Sequence, residues 1–302
     1  MNTTHRFAGK RQPRRITKRM NCSPAVQKIS VKDSCYTPKI LFMIRDAYNQ
    51  DHSSEDKITE TDPTKLWKIL NDRFVQCKKE DCWLNEIKDK NLRKRIDRYI
   101  FAPDKPYEWK KNPNEWLSNF DIMNVLEQYE QTYKHFEFIG PSAIDFDTVI
   151  NGKNCVQNEL CQFELSDHIK RGKTHIGIIF NLSPHTSSGS HWVSLFIDVK
   201  ERVIFFFDSA GESIPKEIKA LVDRIQADNG RKYTFHQNHP KEHQMGNTEC
   251  GVYSLFFIVT MLTSMTHLVK GRMKMQQKMH LFKRRTIPDK YIEKYRNVYF
   301  ND

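Results

Sequence analysis

Residues 244–254 read QMGNTECGVYS, and a nearly continuous apolar run, LFFIVTML, occupies 255–262. The pattern is a polar loop that turns into a buried helix, with Cys250 at the turn. Cysteine suits that place for two unrelated reasons. It is a small hydrophobe that packs well in interiors. A helix start, with unpaired N–H groups and the positive end of the dipole, is also where a thiol most readily becomes a nucleophilic thiolate. Thr248 stands where a side chain could cap the helix, and Gly251 leaves room beside the sulfur for another backbone to approach. What the rest of the chain brings to the same place decides between packing and chemistry.

Upstream, from Thr174, the pattern is that of a sheet. THIGIIFNL is rich in branched and aromatic residues, as a buried strand is; a polar loop, SPHTSSGS, follows. HWVSLFIDV and VIFFFDSAG then read as two strands joined by a tight KER turn. PKEIKALVDRIQADNG carries Ile218, Leu221, Val222 and Ile225 at helical spacing and closes on Gly230, and YTFHQN is a further short strand. If the hairpin pairs about KER, His191 at the start of one strand and Asp208 at the end of the next are each seven residues from the turn, so both fall at one rim of the sheet. A carboxylate there can hold one ring nitrogen of the imidazole and leave the other for a thiol proton. Gln244, six residues before Cys250, can donate its amide to a developing oxyanion beside the Cys250 N–H. Base, orienting acid, oxyanion donor and nucleophile are the four parts that cysteine catalysis needs. Each has an ordinary structural reading of its own: a rim histidine, a turn-forming aspartate, a loop glutamine and a core cysteine.

The order His191, Asp208, Gln244, Cys250, with HW before a strand, then FFDSAG, then Q-x5-C-G-V-Y, resembles the Ulp1-type cysteine proteases, the SUMO-protease superfamily that also includes the adenovirus protease. The resemblance implies an α+β fold: a papain-like core with a central mixed sheet flanked by helices, here preceded by a helical N-terminal arm domain. By matching position it makes His191 the base, Asp208 its orienter, Gln244 the oxyanion donor and Cys250 the nucleophile. WLSNFDI at 116–122 is similar to the family's W-L-N-D-x-x-I segment. Carried over, Trp116 and Trp192 form a narrow tunnel over a Gly-Gly-like pair, since two flat indoles leave space only for residues without side chains; two core tryptophans are the plain alternative. Glu249 and Asn119 stand where the family commonly has aspartate. The strings KDSC (32–35), DSAG (208–211) and TECGVYSLF (248–256), behind a helical arm, resemble the polyprotein-processing proteases of large DNA viruses, the African swine fever virus type among them. That resemblance implies a viral structural polyprotein as substrate, cleavage after Gly-Gly or Ala-Gly pairs during virion maturation, and a location at viral assembly sites in the host cytoplasm and in the virion. A SUMO- or ubiquitin-like deconjugating isopeptidase is the alternative within the same chemistry, and a non-catalytic nucleic-acid- or scaffold-binding protein is the alternative outside it.

Before this region the chain divides into a basic tail, expected to be disordered (1–20), a helical arm (21–112) and the catalytic domain (113–302), which carries a basic C-terminal extension. In the arm, KILFMIRDAYNQ, TDPTKLWKILNDRF and CWLNEIKDKNLRKRIDRYIF have helical spacing, the second with Thr61 or Asp62 as N-cap and Pro63 behind it. APDKPYEWKKNPNE, at 102–115, holds three prolines and reads as a linker or domain boundary.

Composition agrees with one or two domains in 302 residues, 38% hydrophobic and 28% charged. The longest apolar run is far short of the ~20 residues of a membrane span, and no apolar stretch follows the basic N-terminus as a secretory signal requires. Net charge is +12, with seven Lys and Arg in the first 20 residues and ten more, against two acids, between Lys270 and Arg296. Such ends suit a non-specific DNA or acidic partner; a solvated face and a loose tail are the bland reading. Seven cysteines, an odd number and few for the length, argue against a disulfide scaffold and for a reducing compartment. The spacings of Cys77/Cys82 and Cys155/Cys161 are not those of common zinc sites, and nothing in the sequence implies a metal or other cofactor.

Overall fold

The computed structural model describes residues 17–150, 152–227 and 232–302, so residues 1–16 of the basic tail and Gly230 lie outside the described residues. The chain folds as two compact units, one built from residues up to 101 and the other mainly from Ala102–Asp302.

The first unit is helical. α1 (Pro38–Gln50) is capped by Thr37, whose hydroxyl accepts from Ile40 N; α2 (Pro63–Arg73) is capped by Asp62, which accepts from Lys65 N with Pro63 in the first turn. The third stretch, which reads as one helix from sequence, is two. A 3₁₀ segment spans Glu80–Glu86, and α3 (Lys90–Ile100) starts afresh at Asp89, whose carboxylate accepts from Asn91 N and Leu92 N. Trp83 is the hub of the unit, fully buried and stacked on Tyr36 at 5.4 Å.

The second unit begins with the proline-rich stretch, so the boundary expected there falls at its start, while the stretch itself is packed rather than a free linker. Trp109 within it is buried, edge-on to Phe300 at 5.2 Å, with its indole N–H on Glu115 O at 3.1 Å. Apolar burial has outweighed the turn-rich composition there. α4 (Asn119–Thr132) opens on a capping box between Ser118 and Asp121. The sheet strands are β1 (Phe136–Ala143), β4 (His175–Asn181), β5 (Trp192–Asp198), β6 (Val203–Phe207) and β7 (Thr234–Gln237); β2 (Val149–Ile150) and β3 (Asn154–Cys155) make a small separate hairpin. Two short helices, α5 (Asn158–Cys161) and α6 (Leu165–Lys170), lie between β3 and β4 in the chain. The sheet runs β1-β4-β5-β6-β7, antiparallel through the middle three and parallel at both edges. β1 tolerates Pro141 because it is an edge strand with a register break between Ile139 and Ser142.

β5 and β6 are buried along their whole length, because helices cover both faces. Leu195, Ile197, Ile204 and Phe206 pack with α7 (Lys216–Ala227), whereas Phe196, Phe205 and Phe207 pack with α8 (Cys250–Thr263). α8 is buried on every side, as a helix apolar all round must be. Its first residue is Cys250, its N-cap position is Glu249, and no side chain caps it, so Thr248 is not the cap expected from sequence. α9 (Met275–Arg284), α10 (Asp289–Ile292) and α11 (Arg296–Tyr299) close over α8. Leu281, Phe282, Ile292, Tyr295 and Phe300 lie in the same core, so the basic C-terminal stretch is structural. Among its cations Lys278 is buried and donates to Met261 O at 2.8 Å.

Cysteine usage also departs from the expectation. Cys22–Cys35, Cys77–Cys82 and Cys155–Cys161 are disulfides, and Cys250 is the free cysteine. The odd count reflects three local pairs plus one thiol, which counting alone does not separate from seven free thiols. No helix of the described residues is long and apolar enough to cross a membrane.

The packing of α8 on the sheet has little slack. Phe257 stacks on Phe207 at 4.8 Å, and a Cβ on Gly177 would sit 3.0 Å from Ile258 and 3.1 Å from Phe136. Phe257→Ala is expected to cost about 3–5 kcal/mol through a cavity, and Gly177→Ala about 1–3 kcal/mol through overcrowding. Urea unfolding curves check both, and a stability unchanged by Gly177→Ala would refute the close helix–sheet approach.

Candidate active site

The rim of the sheet where β5 begins and β6 ends gathers the chemistry. His191 immediately precedes β5. The polar loop that delivers it is stapled by Asn181 at the end of β4, whose side-chain oxygen accepts from Ser183 N and Ser190 N, each at 3.0 Å. Gly189 adopts φ +95 against that same amide, where a Cβ would lie 3.0 Å from Nδ2. Asp208 follows β6. The β5–β6 register differs from that of a KER turn, since Asp198 pairs with Val203. The ladder extended beyond β6 therefore puts 208 opposite 193 rather than 191. The imidazole spans the offset: Nε2 of His191 lies 2.6 Å from Asp208 Oδ1.

Asp208 is itself braced. Its carboxylate accepts from Ala210 N at 2.8 Å, its N–H donates to Asn238 Oδ1 at 2.9 Å, and Asn238 Nδ2 donates back to Asp208 O at 2.6 Å. The next residue, Ser209, ties this turn to the loop before α8: its carbonyl accepts from His243 N and Gln244 N, each at 2.9 Å, and its hydroxyl donates to Gln244 Oε1 at 2.7 Å. Gly211, at φ +77, lies so close to residues 241–242 that a Cβ would come within 2.8 Å of Glu242 N. Gln244 Nε2 donates to Gly246 O at 2.9 Å and keeps one further hydrogen, so the amide is oriented but not exhausted.

Cys250 is 2% exposed and is the other group whose side chain acts on the His191 ring. Nε2 faces Asp208, so Nδ1 is the nitrogen left for the sulfur. Burial alone would lower the His191 pKa, but the hydrogen bonds and negative charges of Asp208 and Cys250 outweigh it and raise the value from 6.5 to about 10. At neutral pH the ring is an imidazolium. That charge lies beside the sulfur at the start of α8.

Trp116 and Trp192 line one groove of about 470 Å³, together with Ser142, Asn181 and the loop at 183–189. They differ in exposure: Trp116 is 41% exposed, while Trp192 is buried and its indole N–H donates to Leu117 O at 3.0 Å. The room at Gly251, assigned from sequence to an approaching backbone, is filled from within. A Cβ there would meet Leu117 at 3.0 Å and Trp192 at 3.2 Å, so the glycine seats the indole against α8.

Sequence reasoning missed the supporting residues. Asn238 follows β7, which runs parallel to β6, so it sits beside Asp208. Asp289 accepts from Met245 N at 3.0 Å, Gly246 N at 2.8 Å and the Tyr253 hydroxyl at 2.8 Å, which holds the Gln244 loop from the far side. The first is signalled by a polar residue at a strand's carboxyl end; no local signal marks the second.

Similarity to known proteins runs through the same region. The model of the Ulp1 protease family, C-terminal catalytic domain, matches residues 119–294, more than half the chain. A putative thiol protease of Acanthamoeba polyphaga mimivirus is 30% identical over 62% of the chain and 57% of its own length, so the match spans little more than half of that relative. A protein named SUMO-1 cysteine protease, from an African swine fever virus isolate, is 25% identical over 89% of the chain and 98% of its own length. The crystal structure of an African swine fever virus protease shares the fold, with a TM-score of 0.61 at 20% identity, covering 94% of this chain and 96% of that one.

The raised pKa of His191 has a consequence for stability. The folded protein keeps a proton that the unfolded chain releases, so the contribution is fully present below pH 6.5 and is lost as pH rises through about 10. Asp208→Asn removes one of its main sources. The stability gap between wild type and Asp208→Asn is therefore expected to narrow between pH 6.5 and 10, read by urea unfolding across that range. A gap that stays constant would show that the pair does not hold the proton.

Proposed function

The chain belongs to the Ulp1 protease family, and from that premise we propose that this cysteine peptidase is a viral endopeptidase that cleaves structural polyproteins after small residues, at Gly-Gly or Ala-Gly pairs, during virion maturation. The observation that carries the reading is a single arrangement: His191, held at 2.6 Å by Asp208, is electrostatically coupled to the free cysteine at the head of a buried helix. The groove shared by Trp116 and Trp192 supports the preference for small residues, since its walls at that point are indoles and its other lining is mostly serine, asparagine and proline. With that reading goes a setting at assembly sites in the host cytoplasm and in the virion.

In the proposed cycle the Cys250 thiolate attacks the scissile carbonyl and a C–S bond forms. The carbonyl electrons move onto oxygen, where the Cys250 N–H and the spare hydrogen of Gln244 receive them. As the tetrahedral species collapses, the C–N bond breaks and imidazolium His191 gives its proton to the leaving amine. The ring, now neutral, takes a proton from water. The resulting hydroxide attacks the thioester and releases the acid and the thiolate. Asp208 keeps the ring in one orientation throughout.

Deconjugation of a SUMO- or ubiquitin-like modifier is the second reading. It is favoured by the name of the African swine fever virus relative, and such a substrate would offer the groove the same Gly-Gly end. The basic ends support a non-specific DNA or acidic partner, for which binding weakened by added salt is the sign.

Cys250→Ala is expected to reduce cleavage of a Gly-Gly-X peptide to background, and Gln244→Ala to lower turnover by ~10²–10³; cleavage retained by the cysteine variant would end the assignment. Competition between a short Gly-Gly electrophile and a modifier-length one separates the two readings. Comparable labelling of Cys250 by both supports an endopeptidase, and labelling that needs the whole modifier supports an isopeptidase.

A further inference from the structure

Glu249, the residue before Cys250, forms an ion pair with Arg296 in which the side chains are only 3% and 5% exposed. Removing two charges from water is costly, and such a pair does not in general stabilise more than apolar packing would. Its geometry suggests what it does instead. Arg296 Nε donates to both Glu249 oxygens, at 3.1 and 2.9 Å, and Nη2 reaches Glu249 Oε1 at 2.8 Å and Thr248 O at 3.1 Å. The other edge of the guanidinium turns to a different segment. Nη1 donates to Glu115 O at 2.7 Å, with Pro113 O at 3.5 Å, and Nη2 lies 3.4 Å from Asn114 O. The group lies over the Trp109 ring at 4.4 Å, which fixes its plane.

One planar cation thus holds the two chain segments that matter. Glu249 leads directly into Cys250. Glu115 leads into Trp116 and then Leu117, whose carbonyl receives the Trp192 indole N–H at 3.0 Å. We propose that Arg296 is a positioning residue that fixes the spacing between the Cys250 sulfur and the indole-lined groove, and so sets the register in which a peptide meets the nucleophile. Lysine cannot replace it, because one ammonium cannot serve a carboxylate and a run of main-chain oxygens on opposite edges. Glutamate at 249, where the family commonly has aspartate, supplies the reach. Arg296 lies just beyond residue 294, where the family match ends.

The inference rests on the proposed nucleophile and groove, and its test is built to fail separately. Arg296→Lys is compared with wild type in three measurements: thermal unfolding, cleavage of a Gly-Gly-X peptide, and the rate of Cys250 alkylation by iodoacetamide, a reagent too small to need the groove. The expected result at a temperature where the variant is folded is a loss of at least about tenfold in kcat/KM, with the alkylation rate within about threefold of wild type, since a lost register affects only the substrate that spans both segments. Cleavage within twofold of wild type would overturn the clamp. Equal losses in cleavage and alkylation would overturn it too, because Arg296 would then act on the sulfur or on the fold alone. Where Arg296→Lys does not fold, Glu249→Gln, of the same shape and still an acceptor, is put through the same comparison with the same expected split. A wild type that does not cleave the peptide at all would remove the proposed function, and the register role with it.

Discussion

The contact between His191 and Asp208, 2.6 Å long at the rim of a buried sheet, is the interaction on which the site depends. It needs two side chains on adjacent strands to meet beyond the last β5–β6 pair, where that ladder has ended and the strand bond left is from Leu182 N to His191 O at 2.9 Å. The structure supplies the missing constraint from outside the strands. Asn181 ties the loop on the histidine side, and Asn238 ties the turn on the aspartate side, each through its side-chain amide. An amide suits this work because it donates and accepts at once and carries no charge to disturb the pair. The result is an imidazole whose position is over-determined, as a base that must keep one tautomer requires.

A second buried histidine shows that burial alone does not make a base. His243 is inaccessible and packed against Phe207 at 5.3 Å between ring centres. Its Nδ1 accepts from Ile287 N and its Nε2 donates to Phe282 O, so both nitrogens are satisfied by neutral main-chain groups. Burial then dominates, and its pKa falls to about 4. His191 is also mostly buried but faces two groups that carry negative charge, and its pKa moves the opposite way. The partners decide the outcome, which is why a histidine in an apolar stretch means little until its neighbours are known.

Much of this was legible from the chain. The run after Cys250 is apolar at every phase of a helix, which allows only a central, enclosed position, and VIFFF and WVSLFID lack the alternation of a half-exposed strand. The rim placement of His191 and Asp208 followed from counting to a turn. It survived a register two residues from the one assumed, because an imidazole and a carboxylate reach farther than a strand's repeat. What was not legible depends on distant partners. Prolines at 103, 106 and 113 look like a linker because a turn is a local property, whereas the burial of Trp109 against Phe300 is not. The three disulfides escaped notice because an odd cysteine count has no unique reading without geometry.

The C-terminal segment carries the same lesson into the chemistry. Counted by composition, residues 270–296 are a basic patch that invites an anionic partner. Traced by contact, two of their cations are already spoken for, Lys278 by a carbonyl at the end of α8 and Arg296 by a carboxylate at its start. A helix that is apolar on all sides has no polar face along its length, so its charged anchors lie at its two ends. Cations suit the carbonyl end directly. At the amino end a cation would oppose the dipole, and the chain interposes Glu249, so that the negative group faces the dipole and the positive one faces away. The same pairing that makes the arginine tolerable there also gives it a fixed direction. That is why its remaining N–H groups can reach the segment leading to Trp116 instead of water.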